Sequence, residues 1–226
     1  MLLERAYPTN LTTLAAAICQ PNFPSTLRAF IHQRNHPDSL ALPPSDGSFD
    51  GPIRVFHSAT VQFYAPSDLC GTGGMYREII RANPYYGGVP RFDTVFVSVD
   101  DDKEVMAGLL VARVHLLFSY FDPYDREKVP CVLISWFIHT DDASGPDKVT
   151  GMWKLSPECD ENGKFPVQVI HLDTILRGAH LLPCYGEGFL PTELKYSDSL
   201  DAWDSYFVNQ FIDYHAHALL LTTESI

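Results

Sequence analysis

Three aromatic residues near the ends of apolar runs, Trp136, Phe137 and Trp153, lie close in sequence to the carboxylates Asp141 and Asp142. Aromatic faces attract ammonium and guanidinium groups, and nearby carboxylates add to the attraction. With Tyr120, Phe121 and Asp122 as neighbours, this set predicts a shallow aromatic and acidic groove for a basic peptide or protein. The competing reading is that the rings fill the core. A second constellation consists of carboxylates. Asp93 or Asp100, Asp173, and Asp201 or Asp204 are the nearest fit to a two-metal nuclease, whose ions clamp the attacking and leaving oxygens. That chemistry needs a helix between the third and fourth strands of its sheet. Here 140–166 is polar, broken by Gly and Pro, and carries its own Trp-centred strand. Turn and cap roles therefore suit these aspartates better.

Other patterns are weaker. His171 and Asp173 share a face of an extended strand and stand near His180 in sequence, but no HExxH-like spacing accompanies them. His215 and His217 on a helix point about 200° apart and cannot chelate one ion. Gly71-Thr72-Gly73-Gly74, followed by 75–82 read as a helix with Arg77 and Arg81, resembles an anion cradle. It lacks the Lys-Ser/Thr of a P-loop and the strand of a βαβ unit, so a structural turn is expected. No GxSxG elbow is present, and no cysteine has a protease-like setting. The five cysteines are an odd number without a CxxC pair, which argues against a disulfide framework and a zinc knuckle. Neither a cofactor nor a bound metal is expected.

Composition narrows the classes further. The 226 residues are 46% hydrophobic, 19% charged and 12% aromatic, the profile of a folded chain with a sizeable core. Twenty-eight acidic against 16 basic side chains leave a net charge of −12, and the basic ones are scattered singly. Duplex binding needs clustered Lys and Arg that displace counterions, so nucleic acid is not an expected partner. No apolar run is long enough to span a bilayer. Glu4, Thr12 and Thr13 interrupt the N-terminal apolar stretch and favour a short helix over a signal peptide. An intracellular protein is expected.

The elements that must position these residues follow from period and punctuation. Leu11, Leu14, Ala15 and Ile18 recur at helical spacing behind Asn10, a suitable N-cap, and Leu27, Phe30 and Ile31 mark a second helix. The segment 38–52 is rich in Pro, Ser, Asp and Gly and reads as a linker. From Ile53 the period becomes two, predicting strands over 54–64, 94–99, 108–120, 129–139, 152–155 and 167–172. Short connections favour antiparallel pairing, and closure removes exposed edges. Leu200, Trp203, Phe207, Phe211, Tyr214 and Ala218 step by three and four and predict an amphipathic helix. The expected fold class is α+β, mainly β: a small antiparallel β-barrel with N-terminal helices and a C-terminal amphipathic helix. The divisions are a helical lead over 1–52, a barrel over 53–196 and a helix over 197–226 packed on it, all one unit.

Several strings carry a family likeness. His57-Ser58-Ala59, Phe63-Tyr64-Ala65-Pro66-Ser67-Asp68-Leu69, Gly73-Gly74-Met75, Arg91-Phe92-Asp93-Thr94-Val95-Phe96-Val97, Gly151-Met152-Trp153, Ile170-His171-Leu172-Asp173-Thr174-Ile175 and Ser199-Leu200-Asp201-Ala202-Trp203 occur in this order. Together they resemble the C-terminal region of Plavaka-type transposon proteins of basidiomycete fungi, over about 11–217. The resemblance implies a fragment or descendant of a mobile-element protein, with the catalytic core of that family lying upstream. A second likeness, carried by Ser135-Trp136-Phe137 and the stretch 175–183, is to the bromo-adjacent homology (BAH) barrel of chromatin proteins. The combined expectation is a non-catalytic interaction domain engaging a basic protein or chromatin partner, and hence a nuclear location. The alternatives are a residual metal-dependent nuclease fragment and a degenerate gene copy without activity.

Overall fold

The computed structural model describes residues 3–4, 7–37, 49, 51–65, 72–86, 88–99, 105–139, 145–186, 189–190 and 192–220. In chain order the elements are β1 (Leu3–Glu4), α1 (Leu11–Ala17), α2 (Phe23–Asn35), β2 (Arg54–Phe56) and β3 (Ser58–Tyr64). There follow β4 (Met75–Tyr86), β5 (Val89–Phe92), β6 (Thr94–Ser98), β7 (Leu109–Asp122) and β8 (Glu127–His139). The remainder are β9 (Lys154–Pro157), β10 (Gln168–His171), β11 (Ile175–Ala179), β12 (Leu181–Pro183), β13 (Tyr206–Val208) and α3 (Tyr214–Leu220). The expected class, mainly β with an antiparallel barrel and helices at both ends, is the one observed.

The long β7–β8 hairpin is the spine, because its apolar runs are long enough to serve two layers at once. Its upper half belongs to a nearly closed barrel in the order β11–β6–β7–β8–β9–β13–β12, every pair antiparallel. The two end strands, β11 and β12, are consecutive in the chain and separated by His180, whose carbonyl accepts a hydrogen bond from Asn209 N at 2.8 Å. One bent segment thus seals the barrel and leaves little free edge. The lower half of the hairpin pairs with β2 on one side and β10 on the other.

A β-bulge between Val114 and Leu116 keeps the spine in phase. Val111 on β7 opposes Phe137, and beyond the bulge Leu116 opposes Leu133 and Phe118 opposes Cys131. The extra residue, His115, brings 116, 118 and 120 onto the face that carries 109 and 111. On that face the upper half fills the barrel with Phe96, Val111, Phe137, Trp153 and Tyr206. The lower half is covered by Leu14, Phe23 and Leu27 of α1 and α2. The opposite face, with Ala112, Val114, Val132 and Ile134, is covered by a three-stranded sheet, β3–β4–β5.

The local signals at the N-terminus hold. Asn10 caps α1, its side chain accepting from Thr12 N at 3.0 Å and Thr13 N at 3.3 Å. Four expectations change. The strand expected over 54–64 is divided at His57 between two sheets. The stretch 75–82, read as a helix behind glycines, is the first part of β4, in register with β3 from Tyr64↔Met75 to Ser58↔Arg81. Strands β5, β11 and β12 fall where no strand is predicted.

The largest change is at the C-terminus. Where one amphipathic helix is expected over 197–226, the chain forms a 3-10 turn (Tyr196–Asp198), strand β13 and only then the short α3. The apolar spacing of three and four does not lie on one face, since Phe211 is 60% exposed and Tyr214 75%. The physical reason is the need of β9 and β12 for partners. Tyr206 opposes Leu155 on β9 and Pro183 on β12, so β13 fills the gap between two edges whose backbone groups require hydrogen bonds. A boundary at 196/197 therefore falls inside the barrel. Of the linker 38–52, only Phe49 and 51–52 are among the described residues.

Candidate functional site

The predicted aromatic groove does not assemble. Trp136 and Phe137 are neighbours on β8, so their side chains leave opposite faces of the sheet. Phe137 is 4% exposed and lies inside the barrel, edge-on to Tyr206 with ring centroids 5.6 Å apart. Trp153 is also 4% exposed and packs in the same interior, edge-on to His139 at 5.1 Å. Trp136 is half-buried on the outer face, and its Nε1 donates to Gln168 Oε1 at 2.7 Å. The structure thus joins Phe137 to Trp153 as core and separates both from Trp136. Asp141 and Asp142 lie outside the described residues. Of the neighbouring groups, Tyr120 is buried beneath the helices, Phe121 is exposed, and Asp122 is buried 3.9 Å from Arg34 Nε.

Of the nuclease carboxylates, Asp93, Asp173 and Asp201 are committed to separate partners, and Asp204 is exposed. Asp93 accepts from Arg81 N at 2.9 Å and from Arg91 Nε at 2.8 Å. Asp173 is 82% exposed beside His171, and Asp201 forms a two-pronged pair with Arg113. Asp100 lies outside the described residues. His171 Nδ1 accepts from Asp173 N, His180 Nδ1 accepts from Asn209 Nδ2, and His217 stacks on Phe211. Among the described residues no three His, Cys, Asp or Glu side chains are grouped to hold a metal ion. Gly73 and Gly74 adopt φ of 65° and 78° in a turn that leads into a strand, so the helix N-terminus required by an anion cradle is missing there.

The charged groups instead converge on a groove between the small sheet and the barrel. It comprises two adjoining cavities of about 640 and 660 Å³ that share Arg91, Phe92, Ser199 and Leu200. One wall is β5, the other the segment 197–201, and Arg113 with Asp201 closes one end. β5 pairs with β4 along one edge, and its other edge has no strand partner among the described residues. Val89, Phe92 and Leu200 give the groove an apolar lining beneath its charged rim.

At the other end stands an ionic cluster centred on Arg177 of β11, which is 3% exposed. Its guanidinium donates to Glu78 Oε1 at 2.7 Å, to Asp213 Oδ1 at 2.8 Å and to Asp213 Oδ2 at 2.6 Å. A fourth contact reaches His215 Nδ1 at 3.1 Å, and the ring of Phe63 lies 4.7 Å from the guanidinium carbon. The second oxygen of Glu78 accepts from Gly178 N at 2.8 Å, and Asp213 Oδ1 also caps α3 by accepting from Ala216 N at 2.7 Å. Arg177 holds the Asp213 carboxyl below the usual carboxylate range. Each oxygen of both carboxylates accepts from a fixed donor. The cluster is a rigid charged end wall.

Glu78, Arg177 and Asp213 belong to no motif in the sequence, and His215 stands out there only beside His217 as a candidate metal ligand. The available signal is Arg177 itself, a lone cation inside the apolar run Ile175-Leu176 and followed by Gly178. A charged residue in such a strand must find buried partners.

A further polar pair sits at the bulge, where His115 Nε2 lies 2.8 Å from Ser135 Oγ. Burial first, and the Arg113 cation second, push the His115 pKa down to about 4. Ser135 is 7% exposed and lines neither cavity of the groove, so this serine and histidine form a buried packing contact. In comparisons with known proteins, no family model, no curated protein and no solved structure matches this chain.

Proposed function

We propose that this chain is a non-catalytic interaction domain of transposon ancestry that takes a basic protein segment into the groove beside β5. The observation that carries this reading is an edge of β5 that has no strand partner among the described residues and faces Asp198 and Asp201 across the groove. On that wall Asp198 is exposed and Asp201 is shared with Arg113, while Arg91 of β5 stands on the facing side. An extended segment laid along β5 gains backbone hydrogen bonds from the edge, while Lys or Arg side chains meet the carboxylates opposite. Pro90 has no N–H to give, so backbone pairing is short and charge supplies much of the selectivity. The net charge of −12 favours approach of a basic partner and opposes nucleic acid. The separate commitment of Asp93, Asp173 and Asp201 supports a binding role over metal-dependent cleavage.

Titration of a fluorescent Lys- and Arg-rich peptide, methylated and unmethylated, tests the reading. Wild type is expected to bind in a salt-sensitive manner. Asp198→Lys is expected to weaken binding about tenfold or more, since this exposed carboxylate lines the groove and stands outside the Arg113–Asp201 pair. Trp136→Ala is expected to leave binding unchanged. Equal affinity of wild type and Asp198→Lys overturns the proposal.

A further inference from the structure

We propose that His215 is a proton-operated latch: protonating its ring breaks the contact with Arg177 and releases α3 from the barrel. The argument begins with donor chemistry. A guanidinium carries only donors, so the 3.1 Å contact between Arg177 Nη1 and His215 Nδ1 requires a lone pair on that nitrogen. A protonated imidazole offers none, and the contact becomes one of donor against donor, cation against cation.

The surroundings make this contact the joint of three layers. His215 is stacked on Phe63 of β3, with ring centroids 4.5 Å apart and planes at 16°. The charged groups facing it are Arg177 of β11, Glu78 of β4 and Asp213 immediately before α3. Arg177 is held by both carboxylates and the imidazole adds a further contact at Nη1, while the buried Nε has no hydrogen-bond partner among the described residues; this guanidinium binds the small sheet to the barrel. The described part of α3 has seven residues, too few to persist as a helix without tertiary contacts. It is fastened by the Asp213 cap, by His215, and by the buried Ala216 and Leu220, the latter in the barrel interior. Losing one fastening therefore shifts the docking equilibrium of the whole segment.

The direction of the effect follows from the ring's environment. Burial first, and Arg177 second, hold the His215 pKa below its ordinary value, against the opposing pull of Asp213 and Glu78. A base whose folded pKa is depressed contributes stability that is fully present above the unfolded value of about 6.5 and lost as pH falls through the folded one. Asp213, depressed by its bonds to Arg177, keeps its charge through that window, so the cap survives while the latch opens.

Amide exchange followed by mass spectrometry from about pH 7.5 to about pH 4.5, corrected for intrinsic rates, reads the latch directly. Protection over 214–220 is expected to fall about tenfold or more in wild type while β7 and β8 stay protected. His215→Asn places a neutral acceptor near the Nδ1 position and is expected to hold protection constant across the range. Matching pH curves for wild type and His215→Asn overturn the proposal, as does simultaneous loss of protection in β7 and β8. Should the variant fail to dock α3 at neutral pH, the ring titration of His215 in wild type decides by NMR. Its midpoint must coincide with the loss of protection in α3, and a mismatch overturns the latch. Neither readout depends on the proposed basic partner.

Discussion

Arg177 and Glu78, 99 residues apart in sequence, meet across two sheets through a 2.7 Å hydrogen bond. The approach depends on the next residue. A Cβ at Gly178 would stand 3.2 Å from Glu78 Oε2, so the absence of a side chain lets the carboxylate reach both the guanidinium and the backbone N–H. A Cβ here would require the Glu78 carboxylate to give way by a few tenths of an ångström.

Removing the guanidinium leaves two partly buried carboxylates facing each other without a cation. Arg177→Met is expected to destabilise the fold by about 2–4 kcal/mol, less than for a fully buried pair because Glu78 and Asp213 retain some contact with water. Arg177→Lys recovers only part of this, since an ammonium cannot reproduce the two-pronged geometry at Asp213. Urea unfolding of the three proteins measures both effects. An unchanged midpoint for Arg177→Met removes the cluster from the list of structural determinants.

The two tryptophans give a test of the sheet's two faces. Trp153→Ala hollows the barrel interior and is expected to cost about 3–5 kcal/mol. Trp136→Ala loses a half-buried ring and the bond to Gln168, for about 1–2 kcal/mol. Chemical denaturation compares the pair, and acrylamide quenching of each deletion in a Trp203→Phe background, which leaves one indole at a time, shows which of the two faces water. Equal losses of stability contradict the placement of these residues.

His115 predicts a pH dependence of its own. Its folded pKa of about 4 lies below the ordinary value, owing first to burial and then to Arg113. The stability it contributes is present above about pH 6.5 and is lost as pH falls through about 4, because the unfolded chain takes up the proton first. His115→Asn is expected to flatten the slope of stability against pH in that interval. Denaturation midpoints of wild type and variant at a series of pH values check this, and parallel curves contradict it.

What could be read from the chain alone was whatever depends on neighbours along it. Asn10 ahead of Leu11 and Leu14 specifies a capped helix, since an Asn side chain satisfies the first free N–H groups wherever the helix then packs. The runs that became β7 and β8 are apolar on both faces, which demands burial on both and hence a central position. Period two also implies that Trp136 and Phe137 point apart, so their division between surface and core was legible in principle.

The rest needed the tertiary structure, because the same residues fit more than one local pattern. The spacing of Leu200, Trp203 and Phe207 matches a helical stripe, yet Tyr206–Val208 became a strand once β9 and β12 presented edges on either side of it. Backbone hydrogen bonds offered by two strands outweigh a weak helical preference in a short segment. The groove and its Arg177 cluster are likewise invisible along the chain. Glu78, Arg177 and Asp213 are far apart in sequence, and only closure of the barrel under the small sheet brings the two carboxylates onto the buried guanidinium.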